Sequence, residues 1–212
     1  MKSLALWMVI LWLIWPGATA CRDTPPKVAT HKPVKRAVSI EGISTDIRDG
    51  DIVLRAGIDI TSNMLRQLNL RDKRFSHCGI AFREHGQVWV YHSIGSESDP
   101  DQPMKRELLS RYWDTTNNMT IGFVRFDVGP RAIQILRHTV DSFYRRQIPF
   151  DMQFDLHTDD RMYCTEMVAK ALQQSMPYLS LHPTDTLNRQ YWSVDNITGS
   201  TSVQIMATLP LK

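Results

Sequence analysis

Two β-rich runs, Phe75–Phe82 and Gln87–Ile94, flank the dipeptide His85-Gly86. A tight turn at that dipeptide joins them as an antiparallel hairpin. Alternation along the first run sends Cys78, Ile80 and Phe82 to one side and His77, Gly79 and Ala81 to the other. With Glu84 opposite Gln87, Ala81 opposes Val90 and Gly79 opposes His92. His92 then shares a face with His77 and lies diagonally from it, at roughly 7–8 Å between backbones, which two imidazoles can bridge; a three-residue turn would break that sharing and leave two unrelated histidines, one in a core hydrogen bond and one near a loop. The face of Gly79 and Ala81 is small enough to admit a helix closely, with His77 at the rim of that contact.

The neighbouring segments complete an α+β pattern. Gly50–Arg55 reads as a turn feeding a strand, and Ile58–Leu70 as a helix with Ile60, Met64, Leu65 and Leu68 on one stripe. Met104–Trp113 suits a short helix, Met119–Val128 a strand and Ser202–Ala207 a last strand. Pro130 opens a helix striped by Ile133, Leu136, Val140 and Phe143. Strands grouped centrally with helices on either side argue against alternating α/β. At 212 residues, 42% hydrophobic and 22% charged, the chain is long enough for one core and too apolar for disorder. Three cysteines exclude a disulfide scaffold, and a net charge of +3 argues against a nucleic-acid partner.

The first 39 residues carry an address. Lys2 precedes an apolar run from Leu4 to Trp15, and Pro16-Gly17-Ala18-Thr19-Ala20 leads to Cys21. Residues 1–20 fit a secretory signal. Ala18-Thr19-Ala20-Cys21 resembles the bacterial lipobox, although Leu is usual where Ala18 stands; the resemblance implies a lipidated Cys21 and, with Arg22 next, an outer-membrane anchor facing the periplasm. Residues 21–39, with three prolines among Lys27, Lys32, Lys35 and Arg36, read as a basic tether, and residues 40–212 as the folded domain.

A second candidate segment is Tyr163-Cys164-Thr165-Glu166-Met167-Val168, opening a helix whose inward stripe is Met167, Val168, Ala171 and Leu172. Asp159 and Asp160 are suited to capping it. A thiol at a helix start meets the positive end of the dipole and unpaired N–H groups, which favour thiolate and can hold an oxyanion. A buried structural cysteine would fit the same stripe. Together with His77 and His92, however, Cys164 forms a nucleophile, a base and an orienter. Two other uses stay open: a Cys78–Cys164 disulfide, which alternation disfavours by turning Cys78 from the His77 face, and zinc held by Cys164, His77 and His92, for which no short-range ligand pair exists. No G-x-S-x-G elbow supports serine chemistry.

Gly50-Asp51-Ile52-Val53, Ser76-His77-Cys78-Gly79-Ile80, Ile148-Pro149-Phe150-Asp151 and Tyr163-Cys164-Thr165-Glu166-Met167-Val168 follow in an order that resembles the circularly permuted NlpC-type papain-like cysteine hydrolases, the YiiX-like group. The chain is more distantly similar to lecithin retinol acyltransferase relatives. The resemblance spans roughly Gly42 to Ser175. It implies a papain-like fold with an antiparallel sheet on the nucleophile helix, and no cofactor or metal. Carried over, Cys164 is the nucleophile, His77 the general base and His92 the third polar residue, with Tyr163 and Glu166, and secondarily Asp151, against substrate. The expected substrate is a peptidoglycan stem-peptide amide, with the membrane reached through the N-terminal lipid. A lipid-directed acyl hydrolase or acyltransferase, or an idle lipoprotein binding an envelope polymer, are the alternatives.

Overall fold

The computed structural model describes residues 39–212 apart from 97, 187 and 188; the expected leader, Cys21 and nearly all of the tether lie outside the described residues. Chain order is α1 (Ile40–Asp46), β1 (Ile52–Gly57), α2 (Ile60–Arg66), β2 (His77–Glu84), β3 (Gln87–His92), β4 (Lys105–Leu108) and α3 (Leu109–Tyr112). Then follow β5 (Asn118–Phe126), α4 (Pro130–Arg145), α5 (Cys164–Ser175), β6 (Thr184–Thr186), β7 (Arg189–Tyr191), α6 (Val194–Thr198) and β8 (Val203–Pro210). Six strands form one antiparallel sheet in the order β4-β3-β2-β1-β5-β8, and β6 pairs with β7 separately. This is the expected α+β architecture.

The hairpin has the register its turn requires. Glu84 pairs with Gln87, Ala81 with Val90 and Ile80 with Tyr91, and the turn carries His85 at φ 49° and Gly86 at φ 79°, the signs a two-residue primed turn needs. Gly79 is required for a different reason. A Cβ there would come within 2.7 Å of Val90 Cγ1 and 3.0 Å of His92 Cβ, so only glycine lets the end of β3 close on β2.

Two cores lie on opposite faces of the sheet. Ile52, Leu54, Cys78, Ile80 and Phe82 pack against α4 and α5, through Leu136, Val140, Met167, Val168 and Leu172. Val53, Ala81, Val90, Ile121 and Phe123 pack against α1 and α3, through Ile43, Tyr112 and Trp113. The nucleophile helix therefore covers the face opposite to the one expected. The small residues of β2 make room for aromatic rings instead: Tyr112 and Trp113 are buried there and donate to the carbonyls of Val53 and Leu54 at 3.3 and 3.1 Å.

Other elements also depart from expectation. Met104–Trp113 is a strand followed by one helical turn, because Lys105–Leu108 adds to the edge of β3. The helix between β1 and β2 is shorter than its stripe and buries none of its residues. Ile58, Ile60, Met64 and Leu70 are left 50%, 80%, 67% and 64% exposed, so the periodicity there marks an outward apolar stripe and not a core contact.

Candidate active site

The site forms at one end of the sheet, where β2 begins, β3 ends and α5 starts. His77 Nε2 lies 2.9 Å from His92 Nδ1, with the rings edge to face at 5.1 Å between centroids. Both imidazoles lean on the Tyr112 ring, at 5.8 and 5.1 Å. On the far side of His92, Nε2 is 2.9 Å from Glu107 Oε1. A proton on each Nε2 satisfies the row: His77 donates to His92, and His92 faces Glu107 with its N–H. That assignment leaves Nδ1 of His77 for the thiol.

Burial, the His77 ring and the Arg55 charge depress His92 to about 3, against the opposing pull of Glu107, so His92 is neutral at physiological pH. Glu107, drawn by His92, Arg55 and Arg111 against the effect of its own burial, stays below the usual carboxylate range. Sequence reasoning missed Glu107, which lies on a segment whose pattern suits a helix.

Cys164 is the first residue of α5. The N–H groups of Cys164 and Thr165 find no partner among the described residues, as expected for a first turn. The neighbouring Cys78 thiol, the charge and side chain of His77 and the Cys78 amide together hold Cys164 well below the ordinary thiol value despite burial. Cys78 moves the other way: burial first, then the neighbouring Cys164 side chain and the negative charge there, push it well up. Two adjacent free thiols thus differ sharply in acidity. The expectation that Cys78 points away from Cys164 is corrected, because α5 lies on the Cys78 face. His77 reaches the same sulfur from the other face, being the first residue of its strand, where the sheet ends. Cys164 and His77 keep 7% and 6% of their surface exposed, a narrow opening.

Tyr163 and Glu166, expected against substrate, are closed in at 1% and 0% exposure. The Tyr163 hydroxyl accepts from Trp192 N at 2.6 Å, while Thr165 Oγ1 donates to Trp192 O at 2.7 Å. Glu166 Oε2 accepts from Tyr163 N at 3.3 Å, and Oε1 is 2.7 Å from Lys170 Nζ. Ser93, just past His92, donates to Met162 O at 2.6 Å. These bonds fix where α5 begins relative to β3. Asp159 does not cap α5 but pairs with Lys170 at 2.5 Å. Asp151 is buried and accepts from Gln153 N and Asp155 N at 2.8 and 2.6 Å, holding its own loop.

With this geometry in view, residues 46–208 match the family described as "permuted papain-like amidase enzyme, YaeF/YiiX, C92 family". The chain belongs to that family. It is a cysteine hydrolase of the peptidase or amidase type. Among solved structures it is similar to the metalloprotein yiiX of Escherichia coli O157:H7, at 17% identity and a TM-score of 0.61, covering 76% of this chain and 97% of that one. That likeness shows the permuted papain-like fold. No curated protein matches the chain. Whereas yiiX is called a metalloprotein, no three His, Cys, Asp or Glu side chains among the described residues of this family member converge as a metal set. The nitrogens of His77 and His92 that face each other are already engaged.

Proposed function

We propose that the chain is an envelope-anchored lipoprotein that cleaves peptidoglycan stem-peptide amides through a thioester on Cys164. The observation that carries the catalytic part is the meeting, at the start of α5, of an acidic thiol with the His77–His92 pair. The Cys164 thiolate attacks the carbonyl carbon, forming the C–S bond, and the N–H groups of Cys164 and Thr165 stabilise the oxyanion. His77 gives a proton to the departing amine as the C–N bond breaks. Water then attacks the thioester, His77 takes its proton, and the acid leaves as the thiolate reforms. Neutral His92, braced by Glu107, keeps the His77 ring turned toward the sulfur. The leader-like residues 1–20 and Cys21 supply the address, and the amidase family supplies the bond type.

The test is product formation from purified peptidoglycan by the wild type and by Cys164→Ala and His77→Ala. Both variants should lose about a thousandfold or more in rate, as removal of a nucleophile or base does elsewhere. Undiminished cleavage by Cys164→Ala rejects the assignment. A lipid-directed acyl hydrolase is the second reading, favoured by the exposed stripe of Ile58, Ile60, Met64 and Leu70 beside the strand ends that carry the site. Products from lipid extract, with none from peptidoglycan, would select it.

A further inference from the structure

Arg55 stands directly opposite His77 in the β1–β2 ladder, so its side chain leaves the sheet on the imidazole face. The guanidinium lies over the Tyr112 ring, 4.7 Å from its centroid, and has no carboxylate or carbonyl acceptor among the described residues. A half-buried guanidinium with five N–H donors and no protein acceptor keeps those donors available to a ligand. Its surroundings are open: Arg55 lines a cavity of about 220 Å³ together with His92, Lys105, Glu107, Arg111 and Asp114.

The charges in this cavity do not cancel. Glu107 is engaged by His92 at 2.9 Å and by Arg111 at 3.5 Å. Asp114 accepts from Thr116 N, Thr116 Oγ1 and Asn117 Nδ2 at 3.0, 2.7 and 2.6 Å. Both carboxylates are thus occupied, while Arg55 and Lys105 form no ion pair among the described residues. The cavity shares His92 with the catalytic row, and Arg55, on its wall, is the ladder partner of the base His77.

We infer that this cavity is a subsite for a carboxylate carried by the substrate, with Arg55 its principal ligand and Lys105 and Arg111 reinforcing the field. The inference rests on the hydrolase reading and adds the substrate class: an acyl compound or peptide with an acidic group a few bonds from the scissile carbonyl. A planar carboxylate can take two parallel N–H bonds from the guanidinium, which a neutral amide or methyl group cannot. Binding energy gained there would fix the carbonyl against Cys164.

The test compares two esters of equal chain length, p-nitrophenyl hexanoate and the p-nitrophenyl monoester of adipic acid, cleaved by the full-length chain. The wild type should prefer the adipate ester, by about tenfold in kcat/KM if a desolvated charge-assisted pair contributes its usual share. Arg55→Gln should reduce that ratio about tenfold and Arg55→Lys by less. Arg111→Gln, at an exposed position that the fold does not need, should lower it severalfold and tracks the field independently of Tyr112 packing. A ratio unchanged in Arg55→Gln, or no preference in the wild type, overturns the subsite. Failure of the hydrolase reading is seen separately, as ester cleavage retained by Cys164→Ala.

Discussion

The two faces of the sheet contribute unequally to the site. The α5 face is a continuous apolar core of aliphatic and aromatic side chains, and it delivers a single reacting group, Cys164, at the tip of a rigid helix. The α3 face is smaller and its centre is aromatic, with Tyr112 and Trp113 packed in one cluster with Val53, Ala81 and Val90. It delivers His77, His92, Glu107 and Arg55. One face supplies a fixed position and the other supplies the proton chemistry. The two meet only past the last rung of the β1–β2 ladder, Arg55 opposite His77. Substitutions on the two faces should therefore fail differently.

The largest expected effect comes from the seam between β2 and β3. Gly79→Val drives a side chain into Val90, the Tyr91 carbonyl 2.9 Å away and His92. Overpacking of this kind destabilises by roughly 1–3 kcal/mol. Displacing His92 by about an ångström should also reduce kcat/KM by about a hundredfold, even where the protein remains folded. Stability and rate measured on one sample separate the two losses; a folded Gly79→Val with full activity would show that the His77–His92 contact is dispensable.

A pair of substitutions of similar size then contrasts the faces. Leu172→Ala removes a fully buried side chain from the α5 core and should cost about 2–5 kcal/mol of stability, with kcat nearly unchanged at temperatures where the variant is folded. Tyr112→Leu keeps bulk in the opposite core but removes the ring against which both imidazoles and Arg55 rest. It should lose less stability and more rate. Thermal unfolding and steady-state kinetics on both variants decide it, and equal rate losses would mean that the faces are not specialised.

This division also explains what the sequence disclosed. The histidine pair was legible because a two-residue turn and a period of two together determine which residues share a face. The start of α5 was legible from the stripe behind Cys164. The covering of each face was not: Gly79 and Ala81 signalled close approach, but smallness does not distinguish an incoming helix from incoming aromatic rings. The larger, wholly apolar set of Cys78, Ile80 and Phe82 was the better sign of the deeper core. Glu107 escaped because Lys105-Arg106-Glu107-Leu108 is an edge strand rich in charge, with no alternation to separate it from a helix. Short elements such as α6 exist through long-range bonds, for instance Asp195 to the N–H groups of Arg71 and Asp72 at 2.6 and 3.1 Å, which no local pattern reveals.

Cys78 is where the α5 face influences the chemistry by something other than position. Its thiol is the first cause of the low Cys164 value. Cys78→Ala removes that group while leaving the Cys78 amide and His77 in place, so the Cys164 thiol should become less acidic. Because the thiolate is the reacting form, the acid limb of the pH–rate profile should move upward. The rate at pH 9 should be preserved and the rate at pH 6 should fall. An unmoved limb would assign the acidity of Cys164 to His77 and the helix start alone.

The smallest effect separates the scaffold of α5 from its chemistry altogether. Burial lifts the Glu166 carboxyl from 4.5 to about 7, against the hydrogen bond and charge of Lys170 and the Tyr163 N–H. Between those two values the folded chain retains a proton that the unfolded chain releases, so the native state binds more protons and stability falls as pH rises. The contribution is complete below the unfolded value and is lost as pH passes through 7. His92 acts oppositely, since its depressed value makes the unfolded state the better proton binder below 6.5. The wild-type curve therefore mixes the two, and the informative quantity is a difference. Glu166→Gln should be less stable than wild type at pH 4.5 and should close that gap by a few degrees in Tm by pH 7.5. A gap independent of pH would mean that Glu166 is ionised in the fold throughout, held by Lys170 more firmly than its burial resists.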